Sequence, residues 1–145
     1  PEKHIVLNEG YCPIHEQIAL QQVQDLKKVH PSAKILVHPE CPQAVCDLAD
    51  YIGSTSGIIA YATANPAEEF IVCTEIGVDH ELKKRNPGKK FYFPKTEPVC
   101  HDMKSITPEK ILQVLKTGEN KVSVDESLRE SSKKPLEMML ELTGK

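Results

Sequence analysis

Ile35-Leu36-Val37-His38-Pro39-Glu40-Cys41-Pro42 runs from an apolar segment directly into an imidazole, a carboxylate and a proline. The apolar residues read as a strand that delivers His38 and Glu40 to the lip of a sheet, and open α/β sheets bind ligands at the carboxyl ends of their strands. Pro42 suits the first turn of a following helix. A little further on, Gly53-Ser54-Thr55-Ser56-Gly57 offers backbone N–H groups and hydroxyls to an anion. Together these two stretches predict a polar substrate site.

Working outward, apolar strand, polar loop and amphipathic helix alternate at regular length, which predicts an α/β fold with parallel strands and crossover helices. Strands are expected over residues 4–7, 34–37, 69–73 and 90–93. Helices are expected over 15–30, ending before Pro31, and over 42–52, 57–63, 78–86 and 126–142, the last broken or kinked at Pro135. Thr107 and Pro108 open one more helix, as N-cap and first residue, with Ile111, Leu112, Val114 and Leu115 on its inner face.

Composition narrows the function. A chain of 145 residues, 39% hydrophobic and 27% charged, is ordinary for a globular protein, and its net charge of −3 gives no electrostatic reason to expect nucleic acid. No apolar run approaches the roughly 20 residues that cross a bilayer, so no membrane association and a cytoplasmic location are expected. Small molecules are the expected partners. The start at Pro1, almost directly in an apolar run, leads us to expect further residues upstream.

Five cysteines without a CxxC pair argue against a disulfide framework and favour ligation by a subset. Cys12 and Cys100 each follow a predicted strand, precede a helix and have a histidine nearby, His15 and His101. Cys46 falls in a helical pattern and Cys73 in a strand, where thiols act as small hydrophobes. Cys41 lies beside Glu40 and reads more readily as a packing residue than as a ligand. Sequence distance alone makes Cys12 and Cys100 a weak pair.

The motifs Glu9-Gly10-Tyr11-Cys12-Pro13-Ile14-His15, Val37-His38-Pro39-Glu40-Cys41-Pro42, Gly53-Ser54-Thr55-Ser56, Thr74-Glu75-Ile76-Gly77 and Val99-Cys100-His101-Asp102-Met103-Lys104 resemble, in order and over nearly the whole chain, the quinolinate synthases. The resemblance implies a chain about twice this length, built of three-layer αβα units with parallel sheets related by pseudo-threefold repetition. Residues 1–30 would end the middle unit and its crossover helix. Residues 31–145 would form the C-terminal unit with terminal helices, and an N-terminal unit would lie upstream. It also implies a [4Fe-4S] cluster with Cys12 and Cys100 as two of three cysteine ligands. Where the family often shows Pro-Asn-Met after the last cysteine, this chain has His101-Asp102-Met103.

The family reaction condenses iminoaspartate with dihydroxyacetone phosphate to quinolinate, for de novo NAD synthesis. Three thiolates on four irons leave one iron open to act as a Lewis acid, and the ring-forming steps need acid/base groups beside it. Glu40 is the candidate base; its bland alternative is a carboxylate favoured by a helix N-terminus. His38 and His15 are candidate proton donors or substrate-orienting groups, against the commoner hydrogen-bonded structural histidine. Ser54 and Thr55 are candidate binders of a substrate carboxylate or phosphate, and a helix N-cap role is compatible with that. A monomer is expected, with the enzyme that supplies iminoaspartate as a further partner. The competing reading is a non-catalytic anion-binding module, or an inactive fragment, with structural cysteines.

Overall fold

The computed structural model describes residues 4–7, 9–94 and 98–144. Four strands, β1 (Lys34–Val37), β2 (Tyr51–Ile52), β3 (Glu69–Cys73) and β4 (Lys90–Tyr92), form one all-parallel sheet in the order β2-β1-β3-β4. Around them run α1 (Pro13–Glu16), α2 (Leu20–Val29), α3 (Gln43–Cys46), α4 (Thr55–Ala64), α5 (Val78–Arg85) and α6 (His101–Lys104), followed by α7 (Pro108–Thr117) and α8 (Glu126–Thr143). Pro1–Lys104 and Ser105–Lys145 are two separate compact units.

Both faces of the sheet are covered, so the strands carry continuous apolar runs instead of alternation. Ile35, Val37, Ile71 and Cys73 point to one side, where they pack with Val23 of α2 and Val45 and Cys46 of α3. Leu36, Phe70 and Val72 point to the other, against Ile58 and Ala62 of α4 and Val78 and Leu82 of α5. The period of two along each strand therefore feeds two cores. This is the parallel α/β sheet that the alternating pattern predicts, in the three layers that the resemblance implies.

Several local expectations differ. Residues 4–7 are not a strand: Ile5, Val6 and Leu7 are 74–83% exposed, and no described strand lies alongside to complete a ladder. The helix expected over 15–30 is interrupted at residues 17–19, where Ala19 takes an extended conformation as N-cap of α2. The break lets His15 and Ile18 both turn inward, while Val29, at the end of α2, is 70% exposed. The helix expected over 42–52 stops at Cys46, and Tyr51 and Ile52 join the sheet beside Leu36 and Val37. Asp50 makes that register: its N–H donates to the Ile35 carbonyl (2.8 Å) and its carboxylate accepts the Ile35 N–H (2.9 Å). In the second unit, Thr107 caps α7 through the Lys110 N–H as expected. The expected inner face of α7 stays 39–79% exposed, and α8 continues through Pro135.

Candidate metal and substrate site

From β1 the chain passes to β2 on one side, and from β3 it passes to β4 on the other. The carboxyl ends of β1 and β3 thus flank the topological switch point, where a crevice opens in a doubly wound sheet. His38, the first residue after β1, still donates its N–H to the Cys73 carbonyl (3.0 Å). Thr74 and Glu75 leave β3 beside it.

Onto this crevice α1 brings His15. Its ring stacks on that of His38 with centroids 4.0 Å apart and planes 8° from parallel. His15 Nε2 lies 3.0 Å from Thr74 Oγ1, and its Nδ1 lies 3.2 Å from Glu40 Oε2, which is also 3.5 Å from His38 Nδ1. The Glu40 N–H donates to His38 Nδ1 (3.3 Å), which in the neutral ring leaves the proton on Nε2. Burial, helped by the neighbouring His38, holds His15 below the ordinary imidazole pKa against the opposing pull of Glu40. A buried imidazole thus sits beside a half-buried one, with a carboxylate at the edges of both.

Cys12 is the N-cap residue of α1, and one ligand atom each from Cys12, His15 and Glu40 lies within 4.8 Å of the others. His15 Nδ1 is buried and, despite its closeness to Glu40, lacks a properly directed hydrogen bond. Sulfur, nitrogen and oxygen donors converging on such an atom can hold a metal. Cys100 is not in that group. It lies half-buried ahead of α6, its N–H donating to Glu75 Oε1 (3.3 Å) in the loop after β3.

The remaining cysteines are packing residues. Burial pushes the Cys41 thiol up to about 12, and its Sγ donates to the Cys73 carbonyl (3.4 Å). Cys46 and Cys73 are raised in the same direction, burial being the main cause in both. Thiols so far from ionising are poor nucleophiles and poor ligands.

Ser54 and Thr55 lie at the carboxyl end of β2, on the same edge of the sheet. Ser54 Oγ accepts the Gly57 N–H (3.2 Å) and lies 3.0 Å from Ser56 Oγ, so it is the N-cap of α4. Both residues are exposed, and no hydrogen bond among the described residues joins them to His15, His38 or Glu40. A Cβ at Gly53 or Gly57 would come within 2.5 or 2.6 Å of the Tyr51 hydroxyl oxygen. The two glycines thus give the Tyr51 ring room to lie across this turn.

A family model described as quinolinate synthetase A protein matches residues 1–141. The chain belongs to the quinolinate synthetase A family. Among curated relatives, the quinolinate synthase of Clostridioides difficile (strain 630) is 45% identical over 132 residues, covering 91% of this chain and 43% of the relative. That of Caldicellulosiruptor saccharolyticus is 44% identical over 143 residues, covering 99% and 47%. That of Aquifex aeolicus (strain VF5) is 40% identical over 148 residues, covering 99% and 46%. The chain thus spans a little under half the length of these relatives.

In this member of the quinolinate synthetase A family, the structure brings Cys12, His15, His38 and Glu40 together and ties Cys100 to Glu75 in the loop that also carries Thr74. It leaves Ser54 and Thr55 on a neighbouring strand end. His101 is an exposed residue of α6. Thr74 and Glu75, which link the histidine and cysteine segments, fall within a motif that the sequence singles out, but sequence alone assigns neither a role in the site. The signal was present: a polar pair directly after a buried strand, as at His38 and Glu40.

Proposed function

We propose that this chain is the part of a quinolinate synthase that carries the acid/base groups and two cluster cysteines, and that the whole enzyme condenses iminoaspartate with dihydroxyacetone phosphate for NAD synthesis. The single observation that carries this reading is the stacked His15–His38 pair sharing Glu40 at the switch point, with Cys12 within ligand distance.

The donor set suits a cluster. The two cysteines assigned to it are the two partly exposed ones, and a His15 ring nitrogen lies within 4.8 Å of the Cys12 sulfur. Cys12 and Cys100 would hold a [4Fe-4S] cluster with a third cysteine outside this sequence, and an iron without a protein ligand would polarise a substrate oxygen as a Lewis acid. Glu40 is exposed enough to meet substrate, and as a carboxylate it takes the proton from the carbon next to a carbonyl or imine. His38, with its proton on Nε2, donates to a substrate oxygen. His15, kept neutral and fixed by Thr74, orients Glu40 without adding a positive charge that would quench its basicity. Ser54 and Thr55 bind a carboxylate or phosphate at the start of α4, where the helix N-terminus favours negative charge. Pseudo-threefold related α/β units elsewhere in the longer protein would complete the site.

The test is direct. The full chain, prepared without oxygen and given dihydroxyacetone phosphate with iminoaspartate generated in place, should form pyridine-2,3-dicarboxylate detectable by mass. A brown, iron-replete preparation that forms none would overturn the reading.

A further inference from the structure

Glu75 is 13% exposed in its side chain, yet it spends its carboxylate on backbone. Oε1 accepts the Cys100 N–H at 3.3 Å, and Oε2 accepts the Gly77 N–H at 2.7 Å. Lys104 Nζ lies 3.4 Å from Oε1, and the Lys104 N–H donates to the Cys100 carbonyl at 3.0 Å. A parallel tie joins the Ile76 N–H to the Pro98 carbonyl at 3.0 Å. At Gly77 a Cβ would fall 2.6 Å from Glu75 Oε2 and 2.7 Å from Lys104 Nζ, so the carboxylate and the ammonium lie directly against the Gly77 backbone. Cys100 is therefore tied to the loop after β3 at its amide and through the Pro98 carbonyl, while its own carbonyl accepts the first bond of α6, whose Lys104 side chain reaches the same carboxylate.

A largely buried carboxylate that accepts amide protons makes charge-assisted bonds, stronger than neutral ones. None of these bonds is needed to form β3 or α5. They fix instead where a loop carrying one thiol sits relative to the strand end that carries Thr74 and, through it, His15. Ligands of a metal centre are oriented by such outer partners.

We propose that Glu75 is a positioning residue for Cys100, holding that thiol in place for the cluster. The proposal rests on the reading of Cys100 as a ligand. In the metal-free full chain, Glu75→Ala should speed alkylation of Cys100 by iodoacetamide about tenfold, the equivalent of losing a charged hydrogen bond, while Cys12 changes by less than about twofold. Glu75→Gln, which keeps one acceptor oxygen, should fall between parent and Glu75→Ala and rescue part of the effect. After anaerobic reconstitution, Glu75→Ala should release iron to a chelator faster and shift the electron paramagnetic resonance spectrum of the reduced cluster. An unchanged Cys100 rate in both variants, or equal acceleration at Cys12 and Cys100, overturns the proposal. Should Glu75→Ala not fold, the Gln variant decides by the same comparison. Cys100→Ser distinguishes the two claims: if it keeps its full iron, the ligand reading falls and takes the proposal with it. If it loses iron while Glu75→Ala and Glu75→Gln leave Cys100 unchanged, the proposal alone falls.

Discussion

Glu40 is the residue whose surroundings say most about chemistry. Its carboxylate lies within 3.2 and 3.5 Å of two imidazole nitrogens and is still half exposed, at 51% of the side chain. A structural carboxylate with two such neighbours would be drawn under them; this one remains open to a ligand. Glu40→Gln preserves shape and removes basicity, so kcat for quinolinate formation should fall by about 10²–10⁴, the usual range for a positioned base, with little change in the melting temperature. Steady-state kinetics beside a thermal melt measure both, and a variant with full kcat would assign the carboxylate to binding or packing. Sequence singled out Glu40 and His38 because they follow the strand over 34–37, and His15 because it follows a strand expected over 4–7 that the structure does not form. It could not show the ring stack, which depends on a break in the helix at residues 17–19. Nor could it show Thr74 and Glu75, whose roles exist only once two loops dock on them.

Among the elements, β2 is the instructive failure. Val45, Leu48, Ala49 and Ile52 fit a helical period, yet only Gln43–Cys46 is helical, because Asp50 offers the edge of β1 both a donor and an acceptor. A two-residue strand has no period to read. Burial would raise the pKa of Asp50, but the bonds from Lys34 (2.7 Å) and the Ile35 N–H outweigh it and hold the carboxyl below its ordinary 3.8. A depressed carboxyl stabilises the fold above its unfolded pKa, and that contribution is lost as pH falls through the lower folded value. Asp50→Ala should therefore cost about 1 kcal/mol at neutral pH, after allowing for solvent screening of a surface pair. The difference from the parent should shrink below about pH 4, as the carboxyl takes up its proton. Urea unfolding at pH 7 and pH 3 checks this, and a penalty that is constant with pH would mean that the backbone shape at 50 matters and the charge does not. Strands β1 and β3, by contrast, were legible to the residue, since continuous apolar runs bounded by polar ones admit no other reading in a sheet covered on both faces.

At the scale of the whole molecule, alternating elements made the α/β class and its parallel sheet readable, and the switch point between β1 and β3 then gives the site its place. What alternation cannot supply is closure. The second unit has well-capped amphipathic helices whose apolar residues, such as Leu115 and Leu142, are each 79% exposed, so helical period alone does not say what covers a face. The two proposed cluster cysteines have the same non-local character: the helix after Cys12 reaches the loop after β3 through His15 and Thr74, Cys100 reaches it through Glu75, and no local pattern joins them. The Thr74–Glu75 loop gives their proposed convergence a physical frame. The most direct measurement is the iron and acid-labile sulfide content of the full chain prepared anaerobically, as parent, Cys12→Ser, Cys100→Ser and Cys73→Ser. The parent should hold about four irons per chain, Cys12→Ser and Cys100→Ser should lose most of that iron, and Cys73→Ser should keep it; full iron in Cys12→Ser and Cys100→Ser would overturn the assignment of these two thiols as cluster ligands.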